Sequence, residues 1–157
     1  MLHGDIGLAL LMVAATAAAA PAAAQEAERS TADGVYTLAQ ARRGAAYVDR
    51  CTPCHGSDLE GDLAPALIGP VHLERWSGRS LAELFERVQV NFNGLAGTAG
   101  ANTPAPLAQR AADFTAFLLL QNGSPPGATD LPQAADSLRS IRILAGRQYP
   151  APATPPR

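Results

Sequence analysis

The chain has 157 residues and a formal net charge of −2, which allows one compact domain with loose ends and offers no basic field for nucleic acid. All twelve basic residues are arginine, so lysine is excluded as a metal ligand. With one Trp, three Tyr and four Phe among abundant Ala, Gly and Pro, the core is expected to be thin, and a large buried group would help to fill it.

Residues 1–24 read as an export signal. An apolar run from Ile6 to Ala20 precedes "PAAAQ", whose A-x-A site predicts cleavage after Ala24, although Asp5 stands where a basic residue is usual. The run is shorter than the ~20 residues that span a bilayer, so no membrane span is expected in the mature chain. Export to the periplasm would place the cysteines in an oxidising compartment. Residues 25–35 are expected to form a mobile polar linker. The stretch "TLAQARRGAAYVDRC" has helical periodicity in Leu38, Ala41, Ala45 and Val48, with Thr37 and Gln40 as a capping box. "CTPCH", residues 51–55, is thereby placed at a helix C-terminus. "GSDLEGDLAPALIGP" is rich in Gly and Pro and reads as an irregular loop.

A second helix is signalled at "SLAELFERVQV", with Ser80 and Glu83 as a capping box and Leu81, Leu84, Phe85 and Val88 on one face. "NFNGLAGTAGANTPAP" reads as a long loop, which in a compact domain usually lines something. A third helix is expected over about Leu107–Gln121, with Leu107, Ala111, Phe114, Phe117 and Leu118 inward and Asn122-Gly123 ending it. "TDLPQAADSLRSIRIL" could add a short helix, and residues 146–157 form a Pro-rich tail expected to be disordered. With no strand signal, the expected class is all-α, three main helices with long loops.

The chemistry lies in "CTPCH", which holds the only two cysteines, Cys51 and Cys54, followed by His55. A structural zinc site needs four ligands, yet the mature chain adds only His72, and adjacent Cys54 and His55 would reach one small ion with difficulty. A redox dithiol needs C-x-x-C at a helix start, where the dipole lowers a thiol pKa. Covalent haem suits every residue: the spacer sets two thiols against two vinyl groups of one porphyrin edge, and the next histidine reaches the iron. C-x-x-C-H is the attachment signal for c-type haem.

At this point the chain resembles the small, exported, single-haem class I cytochromes c of bacteria. The pieces that carry the resemblance are "CTPCHGSDLEG", "APALIGP", "RWSGRSLAELF" and "FLLLQNGSPPGATDLP", spread over about Tyr36 to Leu144. It implies a class I cytochrome c-like fold over residues 36–145, wrapped around one covalent haem c. It further implies Cys51 and Cys54 as thioether donors, His55 as proximal iron ligand, and the Pro65 carbonyl as acceptor of the His55 Nδ1–H bond. Trp76 and Arg79 could hold the propionates. Tyr47 lies three residues after Gly44, one fewer than is usual for the helix-crossing pair of that family.

The far side of the haem departs from the family pattern. Its sixth ligand is normally a methionine, but here Met1 and Met12 both lie in the signal and Phe92 stands in the methionine position. His72, the only other mature histidine, is one candidate ligand; Asn91, Asn93 and Asn102 are others, as is a free α-amino group. The remaining expectation, and the favoured one, is an open or water-filled site beside Phe92. The function implied is electron transfer between an exported dehydrogenase and a terminal oxidase or another cytochrome, rather than enzymatic turnover. Loss of methionine should lower the potential. The alternative is a five-coordinate haem protein that binds small gas molecules.

Overall fold

A computed structural model describes residues 29–94 and 105–144. The expected signal, the tail from Gly146, and the part of the long loop that holds Asn102 lie outside the described residues. Among the described residues the chain is all-α: α1 (Leu38–Ala45), α2 (Thr52–His55), α3 (Pro70–Trp76), α4 (Leu81–Gly94) and α5 (Leu107–Gln121), with no β-strand.

Helix α1 begins as expected, with Thr37 Oγ1 accepting the Gln40 N–H at 3.0 Å. The return arm of the capping box is not made. Gln40 is buried, and its amide pairs with Leu131 in both directions, at 3.1 and 2.5 Å. The inward face is therefore Gln40, Ala41 and Gly44, while Leu38, expected inside, is exposed. The reason is the crossing with α5. A Cβ on Gly44 would lie 2.0 Å from the Asp113 carbonyl oxygen and 2.8 Å from Phe117 Cβ, so the two backbones meet where only glycine fits. Arg43 locks the crossing by pairing with buried Asp113 at 3.0 Å and with Asp130 at 2.7 Å.

Helix α4 uses its Ser80–Glu83 box, although the Ser80 hydroxyl accepts from Ala82 rather than Glu83. Leu81, Leu84, Phe85 and Val88 are buried as expected. The loop expected from Asn91 begins later, because Asn91–Gly94 form the last helical turn. Phe92 continues the stripe of Phe85 and Val88 and packs between the rings of Tyr47 and Phe114, 5.4 Å from each. That burial outweighs the poor helix propensity of the flanking asparagines. Helix α5 spans the expected residues, with Ala111, Phe114, Phe117 and Leu118 buried.

Three further corrections concern the ends and the loops. The segment expected as a mobile linker is built into the domain from residue 29. Thr31 and Val35 are buried, the Thr31 N–H donates to Arg142 O, and the Arg142 N–H donates to Arg29 O. "TDLPQAADSLRSIRIL" supplies only a 3-10 turn, Ala135–Leu138, followed by an extended run in which Ile141 and Ile143 are buried and Arg142 is exposed. That run lies between the chain near Ser30 and the chain near Ser80, with single bridges from Arg142 to each. The Gly/Pro-rich loop is irregular up to Gly69, and a helix that was not expected follows it: α3 starts at Pro70, a residue preorganised for a first helical position.

Candidate cofactor site

The motif "CTPCH" does not end a long helix. Helix α1 stops at Ala45, the chain tightens into a 3-10 turn over Val48–Arg50, and α2 is a separate single turn closed by His55 N–H to Cys51 O at 2.9 Å. The chain then reverses at Gly56 with φ +86°, where a Cβ would meet the Glu60 carboxylate at 2.7 Å. The reversal folds the next loop back over α2, through Gly61 N–H to His55 O and Ala64 N–H to Cys54 O, both 2.7 Å. Its product is one short contact, 2.5 Å from His55 Nδ1 to the Pro65 carbonyl oxygen. A carbonyl only accepts, so Nδ1 carries the proton and the Nε2 lone pair is left for a Lewis acid.

The same loop meets the second histidine. His72 on α3 is buried, and its Nδ1–H donates to Ala66 O at 3.3 Å, one residue beyond the carbonyl that holds His55. Burial lowers its pKa to about 4, so the ring is neutral at pH 7. Four residues on, Trp76 is buried, with the Arg79 guanidinium 4.7 Å from its ring centre. Arg79 also pairs with Glu83 one turn into α4, which holds that carboxyl below its ordinary range. Backbone bonds from the extended C-terminal run, Gly78 N–H to Ile143 O and Ile143 N–H to Arg79 O, fix this corner. Asn122, just past α5, donates to Leu67 O and accepts from Gly69 N–H, and so ties the loop to the core.

All seven predicted site residues line one cavity of about 690 Å³: Cys51, Cys54, His55, Pro65, His72, Trp76 and Arg79. Phe92 and Asn91 line it too, whereas Asn93 does not. Its apolar wall is Leu84, Val88, Phe92, Phe114 and Leu118, and its rim adds Arg50, Arg75 and Arg87. Of these, Leu84, Val88, Phe114 and Leu118 read from sequence only as core. The extra arginines carry no motif; the signal that could have found Arg75 and Arg87 is their place on α3 and α4, which flank the Trp76–Arg79 corner, and for Arg50 it is its place directly before Cys51.

The thiols do not form a reactive pair. Cys51 is buried and its Sγ–H donates to Tyr47 O at 3.7 Å; burial pushes the thiol up to about 11, the reverse of what a redox dithiol needs. Among the described residues, no group of three or more His, Cys, Asp or Glu could hold a metal ion, as a structural zinc site would require. Among them, too, no helix is long and apolar enough to cross a membrane. Comparisons with protein-family models, curated proteins and solved structures find no match for this chain. Function is therefore read from the site itself.

Proposed function

We propose that this chain is an exported class I c-type cytochrome: Cys51 and Cys54 tether one haem c, His55 binds its iron, and the protein passes single electrons from an exported dehydrogenase to an oxidase or another cytochrome. The observation that carries the proposal is the His55 Nδ1–H bond to Pro65 O at 2.5 Å, beside both motif thiols in one cavity. That bond sets the tautomer and ring angle a metal-binding imidazole requires. The cavity volume, about 690 Å³, falls within the ~300–1,000 Å³ usual for cofactor pockets. Its composition also suits a haem, an apolar wall for the ring and a polar rim for two carboxylates. The Trp76 indole N–H and the Arg79 guanidinium are the propionate donors on this reading.

When bound, the haem supplies a one-electron iron couple. The chain's own part is to hold the imidazole by the Pro65 carbonyl, exclude water with Leu84, Val88, Phe114 and Leu118, and keep the charged edge at the rim. Phe92 bars thioether ligation. His72 hangs from the carbonyl next to the one that holds His55, and this common anchor on one loop favours an open sixth position over His72 as ligand. An open position also supports the second reading, binding of a small gas molecule beside Phe92.

The test is production in a cell competent in cytochrome maturation. Mass spectrometry should show one haem added and residues 1–24 removed, and the reduced protein should show c-type absorption bands. Colourless protein of normal stability would refute the proposal. High-spin bands with rapid CO uptake, unchanged in His72→Ala, are expected for the open site; low-spin bands indifferent to CO would restore an internal sixth ligand.

A further inference from the structure

His72 is the buried titratable group that the electron-transfer reading leaves without a task. It is 3 % exposed and lines the cavity from α3. Its Nδ1–H is taken by Ala66 O, and among the described residues its Nε2 has no hydrogen-bond partner. In the neutral ring Nε2 is an acceptor only, and leaving it buried and unmatched costs about 1–3 kcal/mol. A donor must come from whatever fills the cavity.

The neighbours narrow that donor's chemistry. One turn on, the Trp76 ring centre lies 6.2 Å from that of His72, and Arg79 stands over the Trp76 ring at 4.7 Å. An acceptor, an N–H donor and a cation thus line one corner of the cavity. The charged groups that share the cavity with His72 are Arg75 on its own helix, Arg79 at the corner, Arg87 on α4 and Arg50 beside Cys51; no protein carboxylate lines it. Anionic oxygens for Trp76 and Arg79, together with an acidic O–H for His72, describe a pair of carboxyls of which one keeps its proton.

We infer that His72 Nε2 shares a proton with one haem propionate and so links electron transfer to proton release. The inference rests on the cytochrome reading, which supplies the two carboxyls. When the protein passes one electron to its partner, the positive charge gained in the cavity weakens the hold on the shared proton, which leaves to solvent. Reduction takes one proton back. Burial keeps the lone ring neutral down to about pH 4, and the charge of Arg75 acts in the same direction. Beside a carboxylate, ring and carboxyl titrate as one unit at higher pH.

The test is the midpoint potential of the coloured holoprotein against pH, measured by film voltammetry. The potential should fall as pH rises from about 5 to 8, by about tenfold in the equilibrium constant for electron uptake. His72→Gln keeps an acceptor but cannot titrate, and should flatten that dependence. Arg75→Gln removes a charge that opposes protonation of His72, and should shift the fall to higher pH. An unchanged visible spectrum shows that each variant is folded. Redox-difference infrared spectra of the unaltered protein, which depend on no variant, should show a protonated carboxyl losing its proton on oxidation. A potential independent of pH, or a fall that persists in His72→Gln, would overturn the inference while leaving the cytochrome reading intact. A change from low-spin to high-spin bands in His72→Gln would make His72 the sixth ligand and also overturn it; colourless protein would overturn both.

Discussion

Replacing Gly44 with alanine should destabilise the domain, although alanine is the better helix former. The propensity gain is about 1 kcal/mol. Against it stands a Cβ 2.0 Å from the Asp113 carbonyl oxygen, 2.6 Å from the Asp113 carbonyl carbon and 2.8 Å from Phe117 Cβ. Two of the three obstacles are backbone of a buried residue, so no side chain can swing aside. Relief requires α1 and α5 to separate by about 1 Å, which loosens their whole contact and costs about 3–4 kcal/mol, at or just above the upper end for overpacked cores. The net loss is about 2–3 kcal/mol, or roughly 10 °C in melting temperature for a domain of this size. A thermal melt followed by far-ultraviolet circular dichroism measures it. Gly94→Ala is the control: nothing lies within 4 Å of the added Cβ, and the change should be neutral or stabilising by at most about 0.5 kcal/mol. If Gly44→Ala melts at or above the parent temperature, the close crossing of α1 and α5 is wrong.

Other outcomes follow from single side chains. His72 titrates at about 4 when folded, against 6.5 as its ordinary value, so between those limits the unfolded chain binds the proton more readily. Its contribution is complete above about pH 6.5 and is lost as pH falls toward 4, roughly 3 kcal/mol in all; denaturant midpoints measured against pH should show that slope, and His72→Phe should abolish it. Arg43→Leu leaves the buried Asp113 carboxylate without its bidentate partner, an expected loss of about 3 kcal/mol by urea unfolding, while Asp113→Asn in the same background should recover part of it. In protein prepared without haem, iodoacetamide at pH 8 should label exposed Cys54 at least about tenfold faster than Cys51, whose thiolate fraction is roughly one in a thousand. Mass mapping checks the order, and equal rates would contradict the burial of Cys51.

Much of the fold was legible because its signals are local. The α5 boundaries, the four inward residues of α4 and the Thr37 cap each depend on neighbours within one or two helical turns. The errors share one cause, a distant partner. Gln40 resembles a capping residue until Leu131, 91 positions away, takes its amide. Leu38 looks like core until Gly44 sets the face that meets α5. The linker near Thr31 looks mobile until Arg142 pairs with it. Ile141 and Ile143 alternate as a strand would, but two apolar residues are too few to outweigh the helical pattern before them.

The order of Cys51, Cys54 and His55 along the chain was enough to propose a class of chemistry, because covalent spacing within five residues constrains what their side chains can grip together. Sequence alone also removed lysine from the list of possible iron ligands, since composition is independent of folding, whereas methionine drops out only if residues 1–24, which hold Met1 and Met12, are lost as expected. The resemblance already implied that Pro65 O meets His55; only the tertiary structure decided that His72 hangs from the adjacent carbonyl, and that arginines from three parts of the chain ring one opening. Those are distances between residues six to more than thirty positions apart, and they exist only after loop and helices have closed around a shared core.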